Sequence, residues 1–187
     1  MTFRRIITSA FLLTVALSAF AGTAHAADIS IFAGIELPGS IKHDDVKTPL
    51  DNGPVYGVRF GNDFVRYFGM EHTLAFSPNF LFPSANTSVE EARGFLYNSN
   101  LMLKFPDMDQ RMVPFLTAGV GFVHQYGDRN LPVGTKLAFN YGGGLKFPYL
   151  AGPFGARIDL RGYRVGIFSN TVDILELSFG VMFSLDR

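Results

Sequence analysis

From Val172 to Leu185 the side chains sort by parity. Leu175, Leu177, Phe179, Val181, Phe183 and Leu185 fall on one face, and Glu176, Ser178, Gly180 and Ser184 on the other. A period of two is the signature of an extended strand, whose successive Cβ atoms point to opposite sides. Thr135 to Phe147 repeats it, with Leu137, Phe139, Tyr141, Leu145 and Phe147 opposite Lys136, Ala138, Asn140, Gly142, Gly144 and Lys146. Weaker copies run over 28–37, where Ile29, Ile31, Ala33, Ile35 and Leu37 share a face, and over 54–63, 67–82, 94–105, 113–126 and 153–164. The pattern predicts eight strands and an all-β chain.

The connections alternate in character. Compact links are expected at 63–66, 107–112 and 149–152, and longer polar ones at 38–52, 83–93, 127–134 and 165–171. An even number of antiparallel strands with short turns at one end and longer loops at the other describes an up-and-down barrel. An internal repeat agrees, since Leu103-Lys104-Phe105-Pro106 recurs 42 residues later as Leu145-Lys146-Phe147-Pro148. Two strands and two connections separate the copies, so both end a strand at the same rim, where proline is tolerated because the ladder is ending. Phe105 and Phe147 then face outward at one girdle, and Lys104 and Lys146 inward.

The polar face decides which side is wet. A secreted sandwich or a lipocalin-like barrel covers its outside with abundant charge. Here the polar face is mostly Gly, Ala, Ser, Thr and Asn with occasional charges, which suits the narrow interior of an eight-stranded barrel. The aromatic face is then expected to meet lipid. No stretch after Ala27 has the 18 or more consecutive apolar residues of a spanning helix,, and closed barrels are the other structures that satisfy every backbone group in hydrocarbon. Folding the hairpins about their turns sets Arg59 against Glu71 and Arg161 against Glu176, with Glu36 beside the last strand. The expected interior charge network is Glu36, Arg59, Glu71, Lys104, Arg157, Asp159, Arg161 and Glu176. Lys146 and Arg157 fall close together across the 149–152 turn, with Asp159 or water as their relief.

The first 26 residues read as a secretory signal peptide: Arg4 and Arg5, an apolar run from Ile6 to Phe20, and the A-x-A site Ala24-His25-Ala26,. Cleavage leaves residues 27–187 as one barrel domain with 14 basic and 16 acidic side chains. That balance gives no electrostatic reason to expect nucleic acid. The absence of cysteine removes disulfides, thiolate metal sites and Cys nucleophiles,.

The last strand, Ser178-Phe179-Gly180-Val181-Met182-Phe183-Ser184-Leu185, resembles the assembly signal of outer-membrane barrels at each constrained position, Ser178, Gly180, Phe183 and Leu185. Together with Pro114-Phe115-Leu116-Thr117-Ala118-Gly119-Val120-Gly121 and Tyr141-Gly142-Gly143-Gly144-Leu145, it makes the mature chain similar to the OmpA-like/opacity-type eight-stranded outer-membrane barrel family. The chain departs in ending Leu185-Asp186-Arg187 rather than on an aromatic residue. The resemblance implies an eight-stranded antiparallel up-and-down transmembrane barrel, a Gram-negative outer membrane, lipid and lipopolysaccharide as surroundings, the barrel-assembly machinery as a biogenesis partner, a monomer and no cofactor.

Chemistry is sparse. A lipid A deacylase needs a His activating a Ser, but His72 is followed by Thr73-Leu74 and His124 by Gln125-Tyr126. His43 sits in Lys42-His43-Asp44-Asp45, expected to be a solvated loop, as are Asp44, Asp45, Glu90 and Glu91 in place of a cation site. Asn86-Thr87-Ser88 matches a sequon and is read as incidental,. The expected role is structural or surface-interacting, with a lumen plugged by charge and the loops 38–52 and 83–93 available to an external ligand. A narrow pore, a lipid A-modifying enzyme and a soluble periplasmic ligand binder are the alternatives.

Overall fold

The computed structural model describes residues 26–43, 46–80, 92–107, 109, 111–127, 134–166 and 171–185. Ala24, Asp44, Asp45, Asn86, Glu90 and Glu91, singled out above, lie outside these residues, as does nearly all of the 83–93 loop. Eight long strands close a barrel: β1 (Ala26–Pro38), β4 (Gly53–Val65), β5 (Phe68–Ser77), β6 (Ala92–Lys104), β7 (Val113–Gly127), β8 (Thr135–Ala151), β9 (Phe154–Val165) and β10 (Val172–Ser184). Each pairs antiparallel with its chain neighbour, and β1 closes onto β10. Closure leaves the barrel itself without a free edge,. β2 (Ser40–His43) and β3 (Val46–Pro49) form a separate two-stranded hairpin. The 38–52 connection is therefore more regular than its composition suggests, and the expected strand 67–82 ends at Ser77.

Alternation is translated directly into the wall. Ile31, Leu177, Phe179 and Val181 stand exposed outside, Ile31 at 69%, whereas Ser30, Glu176 and Ser178 between them are buried. Inward glycines let the wall close around large side chains. A Cβ at Gly142 would lie 2.3 Å from the Leu160 carbonyl oxygen and 2.9 Å from Arg161 Cα, and one at Gly180 would lie 3.1 Å from Arg157 Cγ.

The β4–β5 hairpin corrects one expectation. Its register sets Gly61 against Glu71 and Arg59 against Thr73, two residues from the register folded on paper. The turn falls at Arg66-Tyr67, beyond Val65, and a bulge lies between Asp63 and Val65,. Arg59 and Glu71 thus become diagonal neighbours. Arg161 does lie opposite Glu176, and Lys146 opposite Arg157.

Candidate functional site: the barrel lumen

The lumen has three levels. At its waist three arginines from β4 and β9 meet three carboxylates from β5, β9 and β10, all between 0 and 1% exposed. Arg59 donates from Nη1 to Asp159 Oδ2 at 3.1 Å, and from Nη2 to Glu176 Oε1 at 2.6 Å and Ser178 Oγ at 3.0 Å. Arg157 grips Asp159 with Nε at 2.9 Å and Nη2 at 2.8 Å, and reaches Glu71 Oε2 with Nη1 at 2.7 Å. Arg161 donates from Nη2 to Glu71 Oε1 at 2.5 Å and to Asp159 Oδ1 at 2.8 Å. Asp159 therefore receives all three guanidinium groups. The formal charges cancel, which is the condition under which buried ions are tolerated.

Neutral side chains complete the waist. Tyr163 Oη donates to Glu176 Oε2 at 2.7 Å, and Ser178 Oγ to Glu176 Oε1 at 2.6 Å. The Arg59 guanidinium lies over the Phe32 ring, 3.6 Å from its centroid,. The facing amides of Asn100 and Asn140 meet across β7.

Toward the long-loop end the lumen turns apolar. Val55, Ala75, Phe80, Leu96, Val123, Ala138, Val165, Val172 and Ile174 form a buried cluster. Phe80, just beyond β5, turns inward; its amide donates to the Ala92 carbonyl at 2.8 Å, and its carbonyl accepts from Gln125 Nε2 at 2.9 Å. Gly94 makes room for the ring, since a Cβ there would come within 2.2 Å of Phe80 Cγ. Glu36 borders this cluster alongside Val55, Ala75, Phe80 and Leu96 and sits directly opposite Glu176.

At the short-turn end the lumen opens as a vestibule of about 520 Å³. Two ion pairs cross it, Lys146–Asp28 at 2.7 Å and Lys104–Asp63. The two repeat copies thus place their lysines at one rim, each against an aspartate.

The structure brings six of the eight anticipated interior charges into contact at the waist; Lys104 lies in the vestibule and Glu36 at the edge of the apolar cluster. The pairing differs from that folded on paper: Glu71 serves Arg157 and Arg161, and Arg59 serves Asp159 and Glu176. The crowding of Lys146 and Arg157 is relieved by Asp28 for the lysine and by Glu71 and Asp159 for the arginine. Asp28 escaped sequence reasoning although it shares the parity of Glu36. Phe80 falls within the expected strand 67–82 with the outward parity of Phe76, but β5 ends at Ser77 and the chain beyond it turns the ring inward.

In the terminal strand, Ser178 and Gly180 face the lumen, while Phe183 packs outside on Phe154 with centroids 5.4 Å apart. The Leu185 amide donates to the Ala27 carbonyl at 2.8 Å, and the backbone of Ala26 begins β1. His72 lies on the outer wall, its Nδ1 3.1 Å from Tyr97 Oη, and His124 Nδ1 lies 2.7 Å from Thr135 Oγ1. His43 ends β2. Among the described residues no three ligating side chains gather as a metal would require.

No protein-family model matches the chain, and no curated protein matches it. Solved structures do. Neisserial surface protein A (NspA) superposes with a TM-score of 0.61 at 15% identity, over 84% of this chain and 96% of that one. The outer membrane protein OprG from Pseudomonas aeruginosa gives 0.62 at 11% identity, over 89% and 99%. The outer membrane enzyme PagL gives 0.50 at 14% identity, over 82% and 97%. In its fold the chain is an eight-stranded antiparallel barrel like those of these outer-membrane proteins.

Proposed function

We propose that this protein is an integral outer-membrane barrel whose lumen is sealed, acting through its lipid-facing wall and its outer loops rather than by transport or catalysis. The observation that carries this reading is the waist, where three arginines and three carboxylates no more than 1% exposed fill the barrel beneath an apolar cluster. Eight strands leave room for side chains and little else. The apolar outer wall supports residence in a bilayer, and a closed barrel meets the demand that hydrocarbon leave no backbone group unsatisfied. Export by the signal peptide, assembly through the Ser178, Gly180, Phe183 and Leu185 pattern, and contact with lipopolysaccharide belong to the same proposal. The 38–52 connection, which carries the β2–β3 hairpin, is the recognition element we favour.

Two measurements test this. In the outer-membrane fraction, unheated protein should migrate differently from boiled protein in SDS, and planar-bilayer recordings of the purified barrel should stay at baseline. A steady solute-sized conductance would overturn the sealed lumen, and release with the periplasmic contents would overturn the membrane reading.

One observation favours an enzyme as the second reading. PagL is an enzyme with a similar fold, and His72 pairs in register with Ser99 on the outer wall. Against it, His72 Nδ1 is engaged by Tyr97, and no hydrogen bond joins the imidazole to Ser99 among the described residues. Unchanged lipid A acylation after incubation with the folded barrel is the result expected.

A further inference from the structure

The outer wall is not uniform. On β10 its outward positions are Leu175, Leu177, Phe179, Val181 and Phe183, and on β1 they are Ile29, Ile31, Ala33, Ile35 and Leu37. On β5 the outward row reads Phe68, Met70, His72, Leu74 and Phe76, so His72 lies midway between two exposed phenylalanines. On β6 the row from Phe95 to Leu103, continued by Phe105, includes Tyr97 and Ser99. His72 and Ser99 are register partners, and the His72 and Tyr97 rings stack with centroids 6.2 Å apart. Three polar side chains therefore gather at mid-height on one wall, diametrically across the barrel from β9 and β10.

Polar groups facing hydrocarbon are costly and call for partners. The His72–Tyr97 hydrogen bond meets part of that need, leaving the second imidazole nitrogen and the Ser99 hydroxyl without a partner among the described residues. Lipid chains offer no donor or acceptor. Imidazole, phenol and hydroxyl can each both donate and accept, so this patch is complementary to itself, as a two-fold interface requires. Phe95 and Tyr97 each pack on Phe122, with ring centroids 6.4 and 5.7 Å apart, and supply apolar area around the polar centre.

We infer that the β5–β6 wall is a docking surface for a second copy of this chain within the membrane. This goes beyond the lone barrel expected from the sequence and rests on the membrane reading above. In the pair, His72, Tyr97 and Ser99 of one copy face the same residues of the other, and the hydrogen-bonding groups are removed from lipid.

The chain's lack of cysteine makes the test clean. Ser99→Cys and, across the barrel, Leu177→Cys are expressed in the outer membrane and treated with copper phenanthroline. Ser99→Cys should give several-fold more covalent dimer than Leu177→Cys, and adding His72→Leu should lower that yield several-fold. Equal yields, no dimer, or capture of a different protein by Ser99→Cys would overturn the inference. Heat-shifted migration of the same samples separates the two levels: its loss means the membrane barrel itself has failed, whereas an intact shift without dimer removes the docking surface alone.

Discussion

The two ends of the lumen solve one packing problem in opposite ways. Toward the long loops, Phe80 and a ring of Val, Leu, Ile and Ala fill the barrel, with Glu36 at their border; toward the short turns, lysine–aspartate pairs line an open vestibule. Between them the guanidinium–carboxylate waist is charged like one end and dry like the other. The difference teaches that burial, rather than polarity, decides what each level contributes. A charge pair in the dry waist leaves an uncompensated ion when one partner is removed, while the Lys146–Asp28 and Lys104–Asp63 pairs, 5 to 21% exposed, border an open vestibule from which water can replace a lost partner.

The comparison breaks most severely at the waist. Asp159→Ala removes the carboxylate shared by three guanidinium groups, and a loss of about 3–5 kcal/mol is expected, read as a lower urea midpoint for unfolding of the folded barrel. Phe80→Ala empties the apolar level and should cost a similar or smaller amount, about 3–5 kcal/mol if the cavity does not collapse. Its conductance should nevertheless stay at baseline in planar bilayers, because the waist still blocks the lumen. A conducting Phe80→Ala barrel would show that the apolar end alone makes the seal.

At the vestibule, Asp28→Asn weakens the pair with Lys146, whose side chains are 11 and 5% exposed, and about 1–3 kcal/mol is expected, measured in the same urea series. A loss equal to that of Asp159→Ala would erase the distinction between wet and dry levels. On the outside, Arg164 and Asp173 bond at 2.9 Å with both side chains more than half exposed. Arg164→Ala should leave the urea midpoint unchanged.

Much of the fold was legible because a strand's period of two is local. The parity of Leu175 to Leu185 identifies outside and inside without knowledge of any other strand, and the Lys-Phe-Pro repeat places Lys104 and Lys146 at one rim by chain length alone. The interior residues of the waist were legible for the same reason. Their partners were not. The β4–β5 turn falls at Arg66-Tyr67 with a bulge before it, and long guanidinium chains reach across the lumen to strands that are not neighbours, as Arg59 on β4 reaches Asp159 on β9.

The sequence by itself therefore determined the all-β class, the number of barrel strands, the orientation of each face and most of the inward charge, since these follow from alternation and spacing along the chain. Tertiary structure alone decided which carboxylate meets which guanidinium, that Phe80 turns inward against Gly94, that the 38–52 connection carries a hairpin, and that His72, Tyr97 and Ser99 share one wall. Each depends on closure. Bending the sheet until β1 meets β10 brings residues more than 100 positions apart into hydrogen-bond range, and a closed lumen leaves each charge only the partners that the opposite wall presents.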